Sequence, residues 1–88
     1  MRLDKYLKVS RIIKRRTLAK EVSEDGRIEV NGNVAKAGTN LSVGDVIKIR
    51  FGTRIVVYEV TDLREHVKKD EANLMYKILS EEKLERDF

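Results

Sequence analysis

The sequence contains no cysteine, no proline and no tryptophan, and its only histidine is His66. Without cysteine there is neither a disulfide framework nor a thiolate metal site, and one imidazole leaves a metal little to bind. No metal and no cofactor are expected. The lack of proline leaves strands uninterrupted. Aromatic residues make up only 6% of the chain, which argues against an RNA platform built on stacked single-stranded bases. No apolar run approaches the roughly 20 residues needed to cross a bilayer. The amino terminus enters an amphipathic pattern directly, with no apolar signal-peptide core. These absences predict a cytoplasmic chain with no membrane attachment. Catalytic signatures are missing too: there is no GxSxG, HExxH, P-loop or dinucleotide glycine pattern. Carboxylates such as Asp45, Glu59 and Asp62 are scattered at turns and strand edges. The chain is expected not to be an enzyme.

What the sequence does have is positive charge, unevenly placed. Residues 1–20 hold Arg2, Lys5, Lys8, Arg11, Lys14, Arg15, Arg16 and Lys20 against one acid, Asp4, a local charge of +7. The remaining 68 residues carry −3, for a net +4. A basic end on a mildly acidic body predicts a directed surface for a polyanion. Arginine can hold a phosphate with two hydrogen bonds and stack on a base, while lysine supplies a mobile point charge. Structured RNA is read largely through phosphates, 2′-hydroxyls and shape, so a rigid basic face can bind it. These eight side chains are the predicted RNA-binding residues. A merely solvated helix surface fits less well, because almost no acids are interspersed among them.

Eighty-eight residues with 41% apolar content fit one small domain with a modest core. Leu3, Tyr6 and Leu7 follow helical spacing, which predicts a helix over 2–9, with Asp4 placed to pair with Lys8 four residues on. A second helix fits 16–24, with Leu18, Ala19 and Val22 facing inward and Arg16 and Lys20 on the opposite face. Ile12 and Ile13 would plug the joint between them, and Asp25-Gly26 ends the second helix. Arg27–Val30 alternates as a half-buried strand does, and Asn31-Gly32 suits a tight type I′ hairpin. Val34–Ala37 is the expected return strand. After a turn at Gly44-Asp45, Val46–Phe51 places Ile47, Ile49 and Phe51 on one face, and Gly52-Thr53 turns the chain into Arg54–Val60. Residues 61–69 read as irregular. From Asp70 a third helix is expected, docked through Ala72, Met75, Ile78 and Leu79, with 81–88 fraying. The predicted class is α+β: two short helices on a small, mostly antiparallel sheet, plus a carboxy-terminal helix. The RNA-binding domain would span 1–62, and linker and helix 63–88.

Arg2-Leu3-Asp4-Lys5, Arg11, Arg16, Ala19, Gly26, Ile28, Val30-Asn31-Gly32 and Gly44-Asp45 resemble the RNA-binding domain named after ribosomal small-subunit protein four, also called the alpha-L RNA-binding motif. Two positions depart from its pattern. Arg15 stands where the family often has a helix-capping serine, leaving Thr17 or water to cap, and Val43 stands where proline commonly precedes Gly-Asp. Beyond that domain, the first twenty residues, Arg50-Phe51-Gly52, Met75-Tyr76 and Glu81-Glu82-Lys83-Leu84 resemble the RqcP family of small bacterial ribosome-quality-control proteins. The chain is also similar to the ribosome-associated heat-shock protein of the same domain class. The resemblance implies a non-catalytic, ribosome-associated factor that contacts large-subunit rRNA and peptidyl-tRNA on obstructed large ribosomal subunits. It further implies support of the alanine tailing of stalled nascent chains directed by RqcH. A monomer is expected. The competing functions are a ribosome assembly factor, an RNA-targeting module working with a separate rRNA-modifying enzyme, and a protein-interaction module acting through the tail helix.

Overall fold

The structure is a computed structural model that describes residues 1–83, with Arg16 described by its main chain alone. Helix α1 runs Leu3–Val9 and helix α2 Arg16–Glu24, close to the spans their apolar spacing predicts. Leu3, Tyr6 and Leu7 are fully buried, Ile13 fills the joint, and Ala19 and Val22 face the core. Leu18 was expected inward and is instead 47% exposed. At about 100° per residue the buried stripe of α2 is 19, 22 and 23. Ser23 takes the inward place, its hydroxyl donating to the Ala19 carbonyl at 2.7 Å.

Neither helix begins with a side-chain cap. The first amides of α1 are taken by a loop instead: Leu3 N–H donates to the Thr39 carbonyl at 2.8 Å and Asp4 N–H to the Ala37 carbonyl at 3.1 Å. For α2 the N-cap is Arg15, so of the two caps expected, Thr17 or water, the one from Thr17 does not form. Thr17 already lies inside the first turn, past the position from which a hydroxyl caps.

The helices cover a five-stranded antiparallel sheet of order β2-β1-β3-β4-β5, with β1 Ile28–Val30, β2 Asn33–Val34, β3 Val46–Phe51, β4 Arg54–Val60 and β5 Tyr76–Lys83. Asn31 and Gly32 have φ of 53° and 86°, the left-handed pair that a type I′ turn needs. The Asn31 side chain also donates to Asp45 at 3.1 Å and accepts from Val46 N–H at 3.0 Å, tying the first hairpin to the Gly44-Asp45 turn. The return strand stops at Val34, short of the expected Ala37. Ala35, Ala37 and Leu41 turn into the core there, and their loop is the one that caps α1.

The largest departure is in the tail. Residues Lys69–Met75 form a 3₁₀ helix that buries Ala72 and Met75, as their spacing predicts. The expected helix then ends, and β5 runs antiparallel to β4. Ile78 and Leu79 were expected to dock as a helical stripe and are 50% and 45% exposed. A short apolar run such as Tyr76–Leu79 reads equally well as helix or strand. The unpaired backbone edge of β4 decides between them, because its N–H and C=O groups need partners. Residues 76–83 therefore belong to the same sheet as β3 and β4. A bulge at Val57/Tyr58 adjusts the register, and Tyr58 meets Tyr76 edge-to-face at 5.3 Å. The fraying expected over 81–88 falls on described strand as far as Lys83; residues 84–88 lie outside the described residues.

One buried bond joins the ends of the chain: the Tyr6 hydroxyl donates to the Met75 carbonyl at 2.6 Å. Burial, reinforced by Tyr76 and Asp62, pushes this phenol above its ordinary range. Tyr6→Phe removes one donor from that carbonyl, which keeps Thr61 N–H at 3.0 Å, and should cost about 0.5–1.5 kcal/mol, read as a lower urea midpoint. The sign of the pH effect follows from the raised folded-state value. Stability is complete below the unfolded phenol's value of about 10 and falls as pH rises beyond it. The substituted chain should lose less over that alkaline range.

Candidate nucleic-acid interface

Burying Leu3, Tyr6 and Leu7 turns Lys5 and Lys8 outward along α1, while Arg2 sits at the amino end of the helix. Arg2 Nε donates to Asp4 Oδ1 at 3.2 Å and Nη2 to Oδ2 at 3.5 Å. Asp4 also accepts from Lys5 N–H at 2.8 Å and is buried. It was expected to pair with Lys8 on the surface. Its place in the first turn, at the positive end of the helix and accepting from Lys5 N–H, draws it inward instead. The Arg2 side chain stays 55% exposed, with its guanidinium lying 3.7 Å from where a Cβ on Gly38 would be. A two-point hold on one edge orients that guanidinium and leaves other N–H groups for a phosphate.

Lys5 is ion-paired with Glu65 from the irregular segment after β4. The hydrogen bond and charge of Lys5 hold the Glu65 carboxyl below the usual carboxylate range. Arg11 follows the end of α1 with φ of 62°. Its N–H donates to the Lys8 carbonyl at 3.0 Å, and Ile13 N–H donates to the Leu7 carbonyl at 3.0 Å. Glycine usually fills such a left-handed helix stop, and holding an arginine there costs about 1–2 kcal/mol. Arg11→Gly removes that strain, against the roughly 0.5–1 kcal/mol that glycine's extra unfolded-state freedom costs. The expected result is a chain more stable by about 0.5–1 kcal/mol whose RNA-binding salt slope is shallower by about 1. Thermal melts and binding titrations on the same sample check both parts.

Lys5, Lys8, Arg11 and Lys14 line one groove of about 440 Å³, whose lining is completed by Val9 of α1 and by Glu65, His66 and Val67 from the segment after β4. Arg15 and Lys20 are exposed on the second helix and its lead-in, outside the groove lining. Among the described residues, no ion pair engages Lys8, Arg11, Lys14, Arg15 or Lys20. The Arg16 side chain lies outside the described residues. The fold thus gathers four of the eight predicted cations in one concavity, orients Arg2 through Asp4, and leaves Arg15 and Lys20 solvated.

Sequence reasoning missed two features of this surface. The burial of Asp4 had a signal, a lone acid beside an arginine at a helix start. The wall made by Glu65, His66 and Val67 had none, because it depends on how a segment sixty residues away folds back. The scattered carboxylates have structural work: Asp45 accepts from Ser42 N–H at 2.8 Å, and Asp62 from Leu63 N–H at 2.8 Å and Arg64 at 2.6 Å. Among the described residues, no helix is long and apolar enough to cross a membrane.

Comparison with known proteins agrees with this architecture. The S4 domain family matches residues 1–47. Over 86 residues the chain is 59% identical to the RQC P-site tRNA stabilizing factor of Halalkalibacterium halodurans, covering 98% of each. It is 58% identical over 84 residues to the Bacillus subtilis protein of that name, covering 96% of this chain and 98% of the relative. Among solved structures, the trimeric heat shock protein 15 of Vibrio cholerae superposes with a TM-score of 0.83 at 28% identity, covering 91% of this chain and 82% of that one. Both the match over the helices that carry the basic groove and the full-length likeness lead to one assignment: the chain belongs to the S4-domain family, among relatives named RQC P-site tRNA stabilizing factor.

Proposed function

We propose that the protein is a non-catalytic RNA-binding factor of bacterial ribosome quality control. In this reading Arg2, Lys5, Lys8, Arg11, Lys14, Arg15, Arg16 and Lys20 contact large-subunit rRNA and the tRNA held on it. One copy binds a large subunit obstructed by peptidyl-tRNA, steadies that tRNA, and supports RqcH-directed alanine tailing of the trapped chain. The observation that carries the proposal is the basic groove of an S4 domain with its lysines and arginines left largely without internal partners. The names of the relatives supply the ribosomal setting.

The mechanism is scaffolding by charge and shape. Preorganised cations on short packed helices bind phosphates without ordering the protein, so little conformational entropy is lost on binding. A tagged chain should co-sediment with large subunits carrying peptidyl-tRNA and co-purify with RqcH, as read by gradient fractionation, RNA sequencing and mass spectrometry. Arg2→Ala and Arg16→Ala should each weaken that association; Arg2→Ala should also lower stability by about 1–3 kcal/mol, because it takes the guanidinium partner from the buried Asp4 carboxylate. Enrichment on precursor particles would instead identify an assembly factor. A stoichiometric rRNA-modifying enzyme in the pull-down would identify a targeting module. Sedimentation of the purified chain as a trimer would overturn the single-copy reading.

A further inference from the structure

Glu65, His66 and Val67 lie outside the 1–47 span of the S4 domain, yet they wall one side of the basic groove. That wall changes what the groove can hold. An open helix face meets RNA as a ridge of phosphate contacts. A concavity of about 440 Å³ falls within the roughly 300–1,000 Å³ of sites that take a single small ligand. Its cationic side carries Lys5, Lys8, Arg11 and Lys14 against the one carboxylate of Glu65. A partly enclosed excess of one sign focuses the field and draws in counter-charge. Glu65 already sits on the Lys5 ammonium, so this corner binds an anion and presently uses an internal one.

The remaining walls have a different chemistry. Val9 and Val67 are partly buried and packed against the core, and His66 presents an exposed imidazole. A phosphate needs none of these. An unstacked base does, because its flat faces are covered by apolar and imidazole surfaces. We infer that the groove is a subsite for one unstacked RNA nucleotide, its phosphate replacing Glu65 among the cations and its base lying against Val9, His66 and Val67. This rests on the RNA-binding reading above and adds the form of RNA selected: a bulged or looped-out nucleotide over a continuous helix. Glu65 sets a cost that any entering phosphate must meet. A regular duplex that displaces the carboxylate gains no buried base in return, whereas an extruded nucleotide does.

Two blunt RNA duplexes of equal length test this against the full chain by fluorescence anisotropy, one continuous and one carrying a single unpaired adenosine. The bulged duplex should bind about tenfold more tightly, the scale of one base-stacking contact. His66→Ala, at an exposed position, should bring the ratio of the two affinities close to one. Glu65→Gln should tighten both duplexes several-fold, by removing the carboxylate charge that an entering phosphate must displace. Equal affinities for the unsubstituted chain, or a preference that survives His66→Ala, overturn the subsite and leave the RNA-binding face standing. Failure of both duplexes to bind overturns both readings together.

Discussion

Raising monovalent salt from 50 to 200 mM is expected to weaken RNA binding roughly 250- to 1,000-fold. The estimate follows from counting cations that have no internal partner. Lys8, Arg11, Lys14, Arg15 and Lys20 are unpaired among the described residues, and Arg2 is half-exposed despite its bond to Asp4. Lys5 is left out because its ammonium already holds Glu65; displacing that carboxylate frees a group that gathers a counterion of its own. About six phosphate contacts release enough condensed cations to give a log–log slope near −4 to −5. Titrations at four salt concentrations measure it directly. A slope near zero would remove the electrostatic basis of the proposed function. A slope near −2 would mean that only part of the surface meets RNA, and the Arg15 and Lys20 variants would then show which part.

Ending the chain after Lys69 should unfold it. The sequence alone suggests an appended helix docked on the domain, but the structure makes this segment part of the core and of the sheet. Met75 is fully buried and Ala72 nearly so. Removing a buried methionine side chain alone typically costs about 2–5 kcal/mol. Truncation also takes the acceptor from the Tyr6 hydroxyl and strips β4 of its whole partner strand, exposing Val56, Tyr58 and Val60 on that side. A domain of this length has only about 4–13 kcal/mol of stability to lose. Circular dichroism and loss of a cooperative urea transition check the prediction. A truncated chain that melts cooperatively would show that the first four strands suffice. Failure of truncated protein to bind large subunits is therefore no sign that the tail touches the ribosome. The informative substitution is a surface one on β5, such as Lys77→Ser, which leaves the ladder intact and should leave RNA binding unchanged.

The two results share a cause. The basic groove is held in place because α1 is bonded at its first turn and at its middle to parts of the chain distant in sequence. The 37–41 loop holds its first amides, and the Met75 carbonyl holds Tyr6 from below. Positioned charges bind a polyanion with less loss of freedom than mobile ones. Long-range bonds thus fix the element that carries the proposed RNA-binding cations Lys5 and Lys8.

How much of this could be read from residue order depends on the range of the interaction. Asn31-Gly32 specified its turn because two left-handed positions are a local demand that few residue pairs meet. The inward stripe Leu3, Tyr6 and Leu7 specified α1, and the +7 charge of the first twenty residues specified a cationic end, because helical period and charge density are local as well. The tail, the lone acid and the groove wall were decided in three dimensions. Residues 76–83 became a strand because β4 had an unpaired edge to satisfy. Asp4 turned inward because a distant loop covers it and Arg2 folds over it. Glu65, His66 and Val67 came to face Lys5 because the segment after β4 returns past α1. Each of these depends on backbone groups or charges far apart along the chain, and no local pattern of side chains encodes that neighbourhood.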